Sequence, residues 1–338
     1  MAPVPVSNSP RVITYYQTHH DSSGNHISIL PLVRDGHVSV THIILAAIHI
    51  NDDPQAITLN DHAPNDTRFQ TLWAELRLLQ ASGVKVMGML GGAAPGTYVR
   101  LGSDDETFEK YYVPLRDLVR RHGLDGLDLD VEEKLELGAI VRLIDRLRED
   151  FGTDFIISLA PVAAALLDPN SNLSGFDYEA LEVMRGHEIA FYNAQFYCGW
   201  GSLENTVMYE CILAKGWPIE KIVVGLVTNP DNGSGFVDWE RLSPILLALA
   251  TQYPRFGGVM GWEYFNSLPG GKERPWEWAK TMTSIIGRSN TPQNPGKAPA
   301  VTALPPSHKP GEVDIDDGAP APVPDPFDYL SDTEDAAS

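Results

Sequence analysis

Eight apolar runs rich in β-branched residues recur along the chain, at 11–18 (RVITYYQT), 42–51, 84–92, 124–132, 155–163, 190–198, 222–229 and 256–265. Each has the length of a strand. Helical periodicity fills most of the gaps, at 69–81 (Leu72, Trp73, Leu76 and Leu79 on one face), 108–121, 140–148, 178–185, 209–214, 239–250 and 276–286. The connection after the first run is the least regular. Nearly continuous apolar strands alternating with helices predict a parallel sheet covered by helices. Eight repeats in about 275 residues fit a closed (β/α)8 TIM barrel better than an open doubly wound sheet. The dinucleotide fingerprint GxGxxG is absent, which weakens the open-sheet alternative further.

The fourth run departs from the others. From residue 127 to 132 apolar and acidic positions alternate strictly, which puts Asp128, Asp130 and Glu132 on one face of a strand and Leu127, Leu129 and Val131 on the other. Same-face neighbours are roughly 6.5 Å apart. Folding gives no reason for such a row, because a buried carboxylate is costly unless paired or protonated. A solvated acidic edge or a divalent-metal site are the bland readings. Like charges this close retain at least one proton near neutral pH. That suits a general acid, with Glu132 at the open end of the strand and Asp130 and Asp128 deeper. Glycoside hydrolysis is the natural use, although the spacing falls between the ranges for retaining and inverting enzymes. Asp125 has the opposite phase from Asp128 and reads as structural, satisfying turn or loop amides.

Composition narrows the alternatives. Of 338 residues 43% are hydrophobic, enough for a substantial core, and 45 acidic against 25 basic residues give a net charge of −20. Nucleic-acid and anionic-membrane partners need basic patches and are not expected. Cys198 and Cys211 stand in no CxxC or Cys/His cluster, and the histidines form no ligand set, so no metal or cofactor is expected. Two free thiols are the simpler reading. The first residues have neither the basic region nor the apolar run of a secretory signal, and no stretch is long enough to span a membrane. A cytoplasmic, monomeric protein is the expectation, with secretion the alternative. Domain organisation reads as a flexible start (1–10), one catalytic barrel (11–288) and a disordered tail (289–338) holding ten prolines and nine acidic residues.

In a TIM barrel the site lies at the C-terminal ends of the strands. Polar and aromatic residues gather there, among them Tyr16, Gly91, Gly92, Glu132, Asn193, Gln195, Tyr197, Trp262 and Glu263.

The stretch Asp125-Gly126-Leu127-Asp128-Leu129-Asp130-Val131-Glu132 resembles the DGxDxDxE signature of glycoside hydrolase family 18, with all five fixed positions present. Gly91-Gly92, Gln195-Phe196-Tyr197 and Gly258-Val259-Met260-Gly261-Trp262 resemble its third-, sixth- and eighth-strand motifs. Within the family, Tyr16-Gln17-Thr18-His19-His20, the segment 85–96 and the segment 261–271 look most like fungal endo-β-N-acetylglucosaminidases. The resemblance implies cleavage between the two core N-acetylglucosamines of N-glycans, glycopeptides or glycoproteins. It implies substrate assistance, in which the 2-acetamido oxygen attacks the anomeric carbon and net retention results. Glu132 would be acid and base, Asp130 would orient the acetamido group, Asp128 would hold Asp130 and share a proton with it, and Tyr197 would bind the acetamido oxygen. Trp262 would form the floor under the sugar, with Gln195 and Asn193 in polar contact. Tyr16, Gly91, Gly92 and Glu263 are expected to line the cleft. A chitinase with the same machinery is the first alternative, and a lectin-like barrel the second. Retention of Glu132 and both aspartates disfavours the lectin.

Overall fold

The computed structural model describes residues 10–287. Its strands are β1 (Arg11–Tyr16), β2 (His42–His49), β3 (Thr58–Leu59), β4 (Lys85–Gly91), β5 (Gly126–Asp130), β6 (Ile156–Leu159), β7 (Phe191–Gln195), β8 (Ile222–Val227) and β9 (Gly258–Trp262). All pairings are parallel except that of β3, which lies antiparallel on the end of β2. β1 pairs with both β2 and β9, so the eight parallel strands close into the (β/α)8 barrel that the alternation of runs predicts. Its helices are α1 (Pro31–Arg34), α2 (Gln70–Ala81), α3 (Thr97–Leu101), α4 (Asp105–His122), α5 (Leu137–Phe151), α6 (Tyr178–Arg185), α7 (Val207–Ala214), α8 (Trp239–Gln252) and α9 (Glu277–Gly287).

Each helix expected from periodicity falls on one of these. The additions are α1, α3 and β3, too short to carry a period of their own. The strands are shorter than the apolar runs. In particular β5 ends at Asp130, so Glu132 stands two residues past the ladder, on the loop that opens over the barrel. The flexible start and acidic tail, expected over 1–10 and 289–338, lie outside the described residues but for residue 10. Among the described residues no helix is long and apolar enough to cross a membrane, and both cysteines are free thiols.

Local chemistry explains the element ends. Asp104 caps α4 by accepting from the amides of Glu106 and Thr107 at 3.1 Å, and acidic residues open that helix while Arg120, Arg121 and His122 close it. Gly123 follows at φ 63°, the left-handed conformation that ends a helix without Cβ strain. The turn delivers the chain directly into β5.

Two apolar cores result. One fills the layer between sheet and helices. The other occupies the barrel interior and includes Ile13, Ile44, Met87, Phe191, Val223 and Met260. The interior floor is closed by Arg11, whose guanidinium lies 4.7 Å from the Phe191 ring centre and donates to the carbonyls of Glu220 and Gly257 at 2.7 and 3.2 Å. His42 meets the same ring edge-on. Burial lowers the Arg11 pKa to about 10 and that of His42 to about 3. The floor is therefore dry, and the polar mouth lies at the opposite end.

Asp125, at the floor end of β5, accepts from the Val86 amide at 2.9 Å and from Gln80 Nε2 at 2.8 Å. This is the amide-satisfying part expected from its strand phase. Replacement Asp125→Ala leaves the Val86 N–H without its acceptor and should cost about 1–3 kcal/mol of stability, read by urea unfolding. Activity of the folded variant should be unchanged. A selective loss of kcat with unchanged stability would contradict the structural assignment.

Candidate active site

Register brings the acidic row against donors from other strands. Asp128 is fully buried and pairs laterally with Ser158 on β6. Its Oδ1 accepts from Ser158 Oγ at 2.6 Å and Asn193 Nδ2 at 3.0 Å, and its Oδ2 accepts from the Tyr15 hydroxyl at 2.5 Å. Burial pushes its pKa up, and these three donors oppose that rise. Asn193 also reaches the Tyr15 hydroxyl at 3.2 Å. The base of the row is thus a carboxylate enclosed by neutral donors.

Satisfaction thins toward the mouth. Asp130 is 6% exposed, and Gln195 Nε2 lies 3.3 Å from its Oδ1 and 3.3 Å from Glu132 Oε1. The same amide donates to the Ala160 carbonyl at 2.9 Å, which fixes it between the two acids. Asp130 and Glu132 are close enough to shift each other's titration. Burial raises the Asp130 pKa well above the usual range, followed by repulsion from Glu132 and Asp128. Burial also raises Glu132, while Gln195 and Asp130 pull it back. Two acids in such proximity release their protons as a pair rather than independently. Asp130 is turned up to Glu132 and Gln195, whereas Asp128 takes Tyr15, Ser158 and Asn193. Of its two acidic neighbours, Glu132 contributes more than Asp128 to the rise at Asp130.

The remaining walls come from three other strands. Gly91 and Gly92 follow β4 at φ 90° and 94°. A Cβ on Gly91 would sit 2.4 Å from the Tyr98 ring and 2.6 Å from the Asp130 carbonyl oxygen; one on Gly92 would come within 2.5 Å of Met89 and 3.6 Å of Asp130 Oδ2. Bare backbone therefore flanks the acid pair. Tyr197 is buried beside β7, its pKa raised by burial and then by the charges of Asp130 and Glu132. Trp262 ends β9 half-exposed, edge-on to Tyr15 with ring centres 5.5 Å apart.

Two expectations fail here. Tyr16 is fully buried on the outer face of β1, packed edge-on against His19 and Tyr264, with its hydroxyl donating to the Ile27 carbonyl at 2.6 Å. The interior position belongs to Tyr15, which the sequence reading missed along with Ser158. Strand alternation was the available signal, because Tyr15 shares a phase with interior Ile13. Glu263 does not line the site either. Its Oε2 accepts from the amides of Gln17 and Thr18 at 3.0 and 2.8 Å, and its Oε1 accepts from Thr18 Oγ1 at 2.8 Å. It ties the end of β9 to the segment after β1. A metal reading of the row fits poorly, because hydroxyl and amide donors occupy both oxygens of Asp128. Among the described residues no other group of three or more His, Cys, Asp or Glu side chains could hold a metal.

A closed parallel barrel with an interacting acid pair at the C-terminal end of its fourth parallel strand, walled by a tyrosine and a tryptophan, defines a hydrolase of the acid/base type. The chain belongs to the glycosyl hydrolases family 18, whose family model matches residues 11–234. It is similar to the solved structure of a fungal endo-beta-N-acetylglucosaminidase of that family, with 49% identity and a TM-score of 0.79 over 82% of this chain and 98% of that one. It is also similar to the chitinase ChiC from Aspergillus fumigatus, with 58% identity and a TM-score of 0.75 over 81% and 99% of the two chains. Among curated relatives, Chitinase 2 of Rhizopus oligosporus is 31% identical over 56% of this chain and 36% of its own length, so the chain spans little more than a third of that protein. The acidic endochitinase of Nicotiana tabacum is 27% identical over 72% of this chain and 85% of its own.

The acid pair makes stability depend on pH. Asp130 titrates at about 4 in the unfolded chain and well above that when folded. The unfolded state therefore binds fewer protons between those values, and stability falls as pH rises through the window. Asp130→Asn removes the ionisable group. Its stability relative to the native sequence should increase when denaturant unfolding is repeated from about pH 4 to about pH 8. A constant difference across that range would sink the assignment.

Proposed function

We propose that the chain is an endo-β-N-acetylglucosaminidase that hydrolyses the β-1,4 bond between the two core N-acetylglucosamines of N-glycans, with retention and through an oxazolinium intermediate. The observation that carries the mechanism is the distribution of carboxylates. The β5 row places two acids together at the strand end, and both oxygens of Glu263 are engaged by Gln17 and Thr18. In this reading the substrate's own acetamido oxygen is the nucleophile.

In the first step the acid proton lies on Glu132 and passes to the glycosidic oxygen. The acetamido oxygen bonds to the anomeric carbon as the carbon–oxygen bond to the leaving sugar breaks. Asp130, left as a carboxylate, accepts from the acetamido N–H and offsets the positive charge that develops there. Tyr197 donates to the acetamido oxygen and aims it. Trp262 lies under the sugar. In the second step Glu132 takes a proton from water, whose oxygen bonds to the anomeric carbon and opens the ring. Asp128 stays buried and holds the base of the row.

Two observations bear on the substrate. The segment between β8 and β9 contains α8 and one short 3-10 turn, with no inserted domain to wall the mouth on that side. An open mouth suits a branched glycan still attached to protein. The 49% identity to the fungal endo-beta-N-acetylglucosaminidase supports the same reading. The 58% identity to a chitinase favours the second reading, cleavage of chitin oligomers by the same groups.

Mass spectrometry of an N-glycopeptide after incubation should find peptide carrying a single N-acetylglucosamine. Cleavage confined to chitin oligomers would replace the first reading with the second. Glu132→Gln should lower kcat by about 10²–10⁴-fold, the usual contribution of a positioned acid/base. An undiminished kcat would remove Glu132 from that role.

A further inference from the structure

Glu132 stands on a stretch that the sheet does not hold. β5 pairs with β4 as far as Asp130 and with β6 as far as Leu129, so Glu132 has no lateral partner in either ladder. A general acid cannot be aimed by a loose loop, since a misplacement of about 1 Å can cost roughly 100-fold in rate. Something outside the sheet must fix the main chain here.

The next residue does so. Glu133 Oε2 accepts from the Gly96 amide at 2.8 Å, and its Oε1 accepts from the Tyr98 amide at 2.6 Å. Both oxygens are spent on backbone donors at the start of α3, and bonds from amides to a carboxylate are among the stronger ones. Arg100, which borders the same cleft as Glu133, is engaged instead by Asp52 and the Ile50 carbonyl. What Glu133 grips is itself fixed. Thr97 Oγ1 accepts from the Ile50 amide at 3.2 Å, and the Tyr98 hydroxyl donates to the Leu90 carbonyl at 2.7 Å, so α3 is bound to the ends of β2 and β4. On either side of the clamp, the Gly92 amide donates to the Asp130 carbonyl at 2.9 Å and the Leu135 amide to the Ser174 carbonyl at 2.8 Å. The main chain from 130 to 135 is pinned at three points, and the Glu133 clamp is the one that adjoins Glu132.

We infer that Glu133 is a positioning residue, whose two-amide clamp on the connection after β4 holds the main chain so that Glu132 stays beside Asp130 and Gln195. This inference rests on the acid/base reading of Glu132 above, and not on which sugar chain is cut. It has a consequence for pH. The titratable groups facing Glu132 are Asp130, with Asp128 behind it, Tyr197 after β7 and Tyr178 on α6. Burial raises both tyrosines, so they stay neutral and the carboxyls alone set the titration there. Burial also holds the Glu132 pKa up. Released from the clamp, Glu132 gains water and its pKa falls.

The test is a pH profile of kcat and kcat/KM for Glu133→Ala, on whichever of the N-glycopeptide and the chitin oligomer the native enzyme cleaves. The variant should lose about tenfold in kcat with KM little changed, and the alkaline limb of its kcat/KM profile should move to lower pH. Glu133→Gln keeps the side-chain length and one acceptor. It should lose about threefold, with a shift of the same sign, and serves if the alanine variant fails to fold. A variant that unfolds at lower urea but keeps the native kcat and the native alkaline limb overturns the positioning role and leaves the acid/base reading intact. An undiminished Glu132→Gln enzyme, or a native enzyme that cleaves neither substrate, overturns both.

Discussion

The structure depends on keeping three carboxylates on one strand face inside a barrel. A period of two forces Asp128 and Asp130 to point the same way, barrel closure forces that way to be inward, and Glu132 follows just past the strand end. An open sheet would let the row face water. Closure instead brings β1, β6 and β7 around a common axis, so that Tyr15, Ser158, Asn193 and Gln195 reach acids on β5. Without those donors, desolvation of the row would oppose folding by several kcal/mol per ion. The closed topology creates both the electrostatic problem and its remedy.

The remedy is uneven, and the unevenness is chemically useful. Asp128 has three donors to itself. Asp130 and Glu132 divide one amide from Gln195 and shift each other's titration. A carboxylate with ample donors is held as an anion or a tight acid with little reason to exchange. Two acids short of donors are both pushed toward the protonated form, and they sit at the mouth of the barrel. Glu263 supplies the contrast. It is as buried as Asp130, yet backbone amides and a threonine hydroxyl satisfy it, which makes it an anchor rather than part of the acid pair. Residue type and burial do not separate the two roles; the donors do.

Much of this was legible from local pattern. Strict alternation over 127–132 identified the acidic face, and the count of strand–helix repeats identified the closed barrel. The errors have a common cause. Tyr16 and Glu263 were placed in the cleft because polar and aromatic residues at strand ends often line one, but which side a strand end faces is set by lateral register. Ile13 opposes Met260 on β9, and both face the interior, so Tyr15 rather than Tyr16 follows them inward. Ser158 was hidden inside an apolar run and gains meaning only because it pairs with Asp128. α1 and α3 are four and five residues long, too brief for any periodicity to declare them.

The same logic separates chemistry from selectivity. The acid pair and its donors sit on strands or directly after them, beside neighbouring ladders. The segments after β1, β2, β4 and β9 lie beyond those ladders. Selective loops on a rigid barrel would be too mobile to discriminate unless tied down, because ordering them on binding costs free energy. Glu263 and Asn60 are those ties. Glu263 joins the segment after β1 to the strand that carries Trp262, and Asn60 joins it to β2 by accepting from the Ala47 amide at 3.0 Å while donating to Gln17. Both contacts hold the segment after β1 against the ends of β2 and β9.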